Sequence, residues 1–142
     1  MAVVADIDQL SAAISHATAP AFMLGAVAGF LSILISRMER IADRSRTLQS
    51  GGAEALDPSV REAITKSFAR RMLLLGSAIY FAVLSALVTA ALLIAAFATA
   101  LLGFGHAGIV ALMFVVALAL LMASLINLTR EIRVHLATMG LD

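Results

Sequence analysis

The chain has 142 residues, of which 62% are hydrophobic and only 13% are charged. A soluble domain has roughly half its residues apolar and about a quarter charged, so this composition argues against one. The net charge is +1, no basic tract with interleaved aromatic residues favours nucleic acid, and the absence of cysteine excludes disulfides and thiol chemistry.

Two long stretches of the chain carry no charge, one between Asp8 and Arg37 and the other between Arg71 and Arg130. A helix that crosses a bilayer needs about 20 apolar residues, so the first stretch holds one span and the second has room for two. The sequence therefore predicts an all-α integral membrane protein with three transmembrane helices.

The predicted segments can be placed in chain order from apolar runs, helical spacing and turn residues. Ile7 and Ile14 recur at helical spacing near the N-terminus, which fits either a short amphipathic helix at the outer interface or a frayed, disordered end. Pro20 suits the first turn of a helix, where its missing N–H costs little. The segments are an outer amphipathic segment (1–18), span one (19–36), a cytoplasmic helical hairpin (37–71), span two (72–102), an outer turn (103–108), span three (109–128) and a cytoplasmic tail (129–142).

The hairpin is predicted from the chain between spans one and two. Asp57 and Pro58 are typical of a helix start, with Asp57 as the cap and Pro58 at the first helical position. Residues 49–53 contain two glycines and are predicted to reverse the chain. The outer turn is predicted because three of the six residues in 103–108 are glycine.

The direction of the spans follows from the basic residues. If there are three spans, all ten Lys and Arg residues fall on the same side of the membrane. Lys and Arg are enriched on the cytoplasmic side, so we expect the N-terminus outside and the C-terminus in the cytoplasm.

Four short motifs recur at the ends of these spans. They are Ala19-Pro20-Ala21, the Arg-rich stretch 36–46, Arg70-Arg71, and residues 128–132 around Glu131. Together they resemble an uncharacterised family of small bacterial three-span membrane proteins, carried as a domain of unknown function. The resemblance covers nearly the whole chain and implies a bacterial cytoplasmic (inner) membrane. It implies no activity and therefore assigns no catalytic residue to this chain.

The Arg-rich stretch is the first candidate site. It forms a cytoplasmic basic cluster of Arg37, Arg40, Asp43, Arg44 and Arg46. The cluster fits a site for anionic headgroups or ligands, or a ring of salt bridges between subunits. Its other interpretation is simple anchoring of span one on the cytoplasmic side.

Small residues recur in the spans and favour assembly. Gly25 and Gly29 form a GxxxG pattern, and Ala82, Ala86 and Ala90 repeat every four residues. Small residues allow close approach of helices within or between chains. Because three helices alone make a poor bundle, we expect a homo-oligomer.

Polar residues suggest what such an oligomer does. Ser77, Ser85 and Thr89 lie near one face of span two and are candidates to line a pore, unless each hydroxyl bonds to its own helix. The candidates for an outer vestibule are Asp6, Asp8 and His106.

Two functions remain open. The first is a homo-oligomeric pore, with inorganic cations as the conducted species. The alternative is a non-transporting scaffold or regulator that binds anionic lipid or a partner through its basic hairpin. The sequence shows no metal-ligand spacing, no cofactor motif and no nucleophile beside a base, so we expect neither an enzyme nor a cofactor.

Overall fold

The computed structural model describes residues 2–51, 57–102 and 107–139, which form three helices. These are α1 (Ala2–Gly51), α2 (Pro58–Leu102) and α3 (Ala107–Met139). Each contains a segment long and apolar enough to cross a membrane, namely Ala17–Thr47, Pro58–Thr99 and Gly108–Leu136. Within the most apolar 18-residue stretch of each segment, only 22%, 22% and 11% of the residues are buried inside the chain. The protein is therefore an all-helical, multi-pass membrane protein.

The start of α2 confirms the predicted cap. The Asp57 carboxylate accepts hydrogen bonds from the backbone N–H of Ser59, at 3.1 Å, and from the Ser59 hydroxyl, at 2.9 Å. Pro58 is the first helical residue, and the Arg61 N–H donates to the Asp57 carbonyl at 3.0 Å. The hydrogen bond from the Ser59 backbone is the main cause that lowers the pKa of Asp57, because it stabilises the ionised form.

The start of α1 contradicts one prediction. The sequence suggests Pro20 in the first turn of span one, but α1 begins at Ala2 and Pro20 lies inside it. A proline in a helix interior removes one backbone hydrogen bond, which membrane helices tolerate through local adjustment and packing against neighbours. Pro20 is buried, in keeping with such packing. Residues 1–18 and span one are thus not separate helices in the described part of the chain.

The predicted turns fall largely outside the described residues. α1 continues through Gly51, so residues 49–51 of the predicted reversal are helical. Residues 52–56 are not described. Residues 103–106 of the outer turn are likewise outside the described part. Ala107 and Gly108 already belong to α3.

The chain divides into two compact units. The first consists of Met1–Phe30 and Ala82–Met122, and the second of Leu31–Phe81 and Ala123–Asp142. Every helix contributes to both. The first unit has a core of small and medium side chains, of which Val27, Ala82 and Ala117 are fully buried.

The second unit has its own core. Leu34 from α1 and Leu75 from α2 are fully buried in it, together with Ala78. The Ser124 hydroxyl of α3 donates to the Ala78 carbonyl of α2 at 2.6 Å. α1 also approaches α2 closely, since a Cβ placed on Gly76 would lie 3.9 Å from the Met38 methyl group. The three helices are therefore packed together in this unit.

Candidate functional site

A fully buried carboxylate lies in the second unit. Glu131 of α3 has no exposed surface, and one basic residue from each of the other helices approaches it. The Arg71 guanidinium of α2 donates to Glu131 Oε1 twice, from Nε at 3.1 Å and from Nη2 at 3.0 Å. Arg37 of α1 places Nη1 3.8 Å from Oε2. We call these three residues the ionic triad.

The two arginines of the ionic triad hold Glu131 unequally. Arg71 is only 12% exposed and makes two hydrogen bonds, whereas Arg37 is 31% exposed and makes an ion pair without a hydrogen bond. Glu131 Oε2 is buried and accepts no hydrogen bond in the structure. The carboxylate is therefore tied firmly to α2 and more loosely to α1.

Burial makes the charges of the ionic triad depend on one another. An isolated carboxylate loses several kcal/mol of hydration when it leaves water, and only close cations and hydrogen bonds restore it. Arg71 and Arg37 supply these to Glu131 from two other helices. The ionic triad thus couples all three helices in the second unit.

The members of the ionic triad are far apart in the sequence. Arg71 and Glu131 are 60 residues apart, and no local pattern joins them. A signal was nevertheless present, because Glu131 is the only acidic residue between Glu62 and Asp142. It follows span three, as Arg37 follows span one and Arg71 precedes span two.

The predicted basic cluster is divided by the structure. Arg37 turns toward Glu131, whereas Arg40 and Arg44 are exposed. Asp43 forms an ion pair with Arg46, at 3.8 Å. Both partners of that pair are more than 70% exposed, so the pair contributes little to stability.

Two of the three residues predicted to line a pore are buried within the packing of a single chain. Ser85 and Thr89 are fully buried in the first unit. The Ser85 hydroxyl donates across to the Ala117 carbonyl of α3 at 2.8 Å, and the Thr89 hydroxyl donates back to the Ser85 carbonyl at 2.8 Å. Ser77 is half-buried and donates to the Leu74 carbonyl of its own helix. Their pore-lining role stays a prediction, and within one chain their hydroxyls already have acceptors.

The vestibule candidates are not placed by the structure. Asp6 and Asp8 belong to α1, but the structure does not describe their side chains. His106 lies outside the described residues altogether. The vestibule therefore stays a prediction.

One face of α1 combines small residues with hydroxyls. Gly25, Gly29, Ser32 and Ser36 follow one another at offsets of four, three and four residues, which places them on one side of a helix. A Cβ added to either glycine would meet nothing within 4 Å. We call these four residues the α1 stripe.

The two serines of the α1 stripe differ from the other Ser and Thr residues of the three predicted spans. Among the described residues, every other Ser and Thr of the three predicted spans donates a hydrogen bond. Ser32 and Ser36 make none within that part of the chain, and Ser32 is exposed. The α1 stripe is thus a face on which two serine hydroxyls remain without partners among the described residues.

No metal site is formed by the described residues. Nowhere in that part of the chain do three His, Cys, Asp or Glu side chains come together. The ionic triad holds a single carboxylate between two guanidinium groups, which repel a cation.

Comparison with known proteins identifies a family. Its description is "Protein of unknown function (DUF2721)", and its sequence profile matches residues 17–141. No curated protein and no solved structure matches the chain. The matched residues include all of α2 and α3, the ionic triad and the α1 stripe, and they confirm the resemblance seen in the four motifs. The chain belongs to the DUF2721 family, a domain of unknown function that here consists of three long apolar helices.

Proposed function

We propose that several copies of this chain assemble through α1 into a membrane pore that passes cations. The observation that supports this function is the α1 stripe. A bilayer offers no partner for the hydroxyls of Ser32 and Ser36, and an unsatisfied polar group in hydrocarbon is costly. Other copies of α1, or water along an axis between them, would provide those partners.

The outward faces of the other two helices support the same arrangement. α2 exposes Leu87 and Ile94, which are 61% and 72% accessible. α3 exposes Leu112 and Val115, which are 64% and 61% accessible. Large apolar side chains suit contact with lipid, whereas glycine and serine suit close helix contact. The proposed assembly therefore turns the α1 stripe inward and leaves the large apolar side chains of α2 and α3 at the lipid.

The ends of α1 give the pore its direction in this proposal. Asp6 and Asp8 lie on the first turns of α1 and, with His106, would form an acidic outer vestibule that concentrates cations. The basic residues then face the cytoplasm of a bacterial cell, with the N-terminus outside and the C-terminus inside. The proposal includes no catalytic step and no cofactor.

Single-channel recording in planar bilayers tests the function. The wild-type protein is expected to give cation currents, and Gly29→Leu to abolish both the oligomer and the currents by filling the α1 stripe. The matched control is Ala91→Leu, which adds the same kind of bulk to an exposed position of α2. Currents that survive Gly29→Leu would place the pore elsewhere.

A second candidate function follows if a folded wild-type oligomer stays silent in these recordings. Arg40 and Arg44 are exposed and make no ion pair among the described residues. A scaffold or regulator would use them to bind anionic lipid or a partner. Neutralising both should then abolish binding to anionic liposomes.

A further inference from the structure

The ionic triad defines one level along the axes of the three helices in the second unit. Arg37, Arg71 and Glu131 come from three helices and meet through their side chains. A residue within three positions of any of them lies within about 5 Å of it along its own helix, at about 1.5 Å per residue. Such residues therefore lie close to the level of the buried contact on each of the three helices.

Four of these neighbouring residues are arginines that do not take part in the contact. All four are exposed, and none makes an ion pair or a hydrogen bond among the described residues. They are Arg40 of α1, Arg70 of α2, and Arg130 and Arg133 of α3. We call them the arginine belt.

The charges near this level do not balance. Within three positions of the ionic triad there are six arginines, which are its own two and the four of the arginine belt, but only two acids, Glu39 and Glu131. Glu131 is already occupied by Arg71 and Arg37. Four positive charges are therefore in surplus, and they lie on every helix of the second unit.

Exposed apolar side chains adjoin the arginine belt on the side of the spans. Ile35 of α1, Leu73 of α2 and Ile126 of α3 are 47%, 75% and 46% accessible. Each lies two to five residues from the ionic triad, toward the apolar run of its helix. Unpaired guanidinium groups beside exposed apolar surface match a lipid, which has its phosphate beside its acyl chains.

We propose that the arginine belt is a binding site for the phosphate groups of anionic lipids in one leaflet. Guanidinium groups donate paired hydrogen bonds to phosphate oxygens, and near a membrane each basic residue adds about 1 kcal/mol, or roughly fivefold in binding. Glu131 acts as a positioning residue, because it holds the three helices that carry the belt. This site does not depend on whether the protein conducts ions.

The full chain provides a matched pair of variants. The belt variant replaces three of the four belt residues, Arg70, Arg130 and Arg133, with Gln. The control variant replaces three basic residues that lie farther from the ionic triad, Arg46, Arg61 and Lys66, with Gln. Both variants lose the same charge. Each is reconstituted in vesicles of equal parts phosphatidylglycerol and phosphatidylcholine, extracted in mild detergent, and the bound lipids are counted by native mass spectrometry.

Wild type and the control variant are expected to retain phosphatidylglycerol in preference to phosphatidylcholine. In the belt variant, the ratio of bound phosphatidylglycerol to bound phosphatidylcholine is expected to be at least tenfold lower. Equal loss in both variants would show an effect of bulk charge and overturn the site, as would no loss in either. Displacement of the lipid by an equal concentration of inorganic phosphate would overturn the assignment to lipid. Circular dichroism checks the fold. If the belt variant does not fold, the single variants Arg70→Gln and Arg133→Gln are used instead. Each is expected to lower the preference for phosphatidylglycerol roughly fivefold, and an unchanged preference in both would overturn the site.

Discussion

Glu131 is the residue on which the packing of the second unit and the lipid site depend, because it is a charged group held entirely inside the protein. Arg71 satisfies one of its oxygens with two hydrogen bonds, and Arg37 approaches the other at 3.8 Å. Removing one member of such a group leaves the others buried without compensation, which costs more than the group contributes as a whole. The three residues are thus expected to differ in how much stability they carry.

Glu131→Gln and Arg71→Gln are each expected to lower the free energy of unfolding by about 3 kcal/mol, because they leave a buried charge poorly compensated. Arg37→Gln should cost under about 1 kcal/mol, since Arg37 is partly hydrated and makes no hydrogen bond. Thermal unfolding in detergent, followed by circular dichroism, measures the order of stability of the three variants. An Arg37→Gln variant as unstable as Arg71→Gln would show that α1 is held as tightly as α2.

At the scale of single helices, apolar runs and local caps were enough to predict a good part of the structure. Long uncharged stretches predicted three spans, and Asp57 with Pro58 predicted the start of α2. Both features are local, because about 20 apolar residues or one capping side chain determine them without reference to other helices.

Features that depend on packing between helices were not predictable in the same way. Pro20 looked like a helix start, but its position inside α1 depends on packing that the sequence does not display. Thr89 follows the expected bond to its own helix, whereas the Ser85 hydroxyl reaches the Ala117 carbonyl, 32 residues away. The pairing of Arg71 with Glu131 required knowledge of which helix faces meet.

The start of α2 should depend on pH. The hydrogen bonds from Ser59 lower the pKa of Asp57, so the cap adds stability above the ordinary pKa of an aspartate. That stability is lost as the pH falls from the ordinary value through the lowered value. The rate of amide hydrogen exchange at Ser59 and Arg61 is therefore expected to gain relative to the rest of α2 on acidification. Asp57→Asn should remove this pH dependence, and a wild-type helix start that shows no such gain would contradict the role of the cap.

At the scale of the whole molecule, the three helices present unlike faces to their surroundings. α2 and α3 expose large apolar side chains such as Ile94 and Leu112, whereas α1 exposes Gly25, Gly29 and Ser32 beside large apolar side chains such as Phe22. A single chain leaves most of its apolar windows unburied. Assembly through α1 would satisfy the serines and leave the large apolar faces for lipid, which is the basis of the proposed pore.

Cysteine accessibility during single-channel recording tests the pore around α1 most directly, because the chain has no cysteine of its own. Ser32→Cys should give channels that a water-soluble thiol reagent blocks, since Ser32 would face the conducting axis. Ser85→Cys should give channels that the reagent leaves unchanged, because Ser85 is fully buried within one chain. Block of the Ser85→Cys channels but not of the Ser32→Cys channels, or the absence of current from a folded wild-type oligomer, would contradict a pore formed by α1.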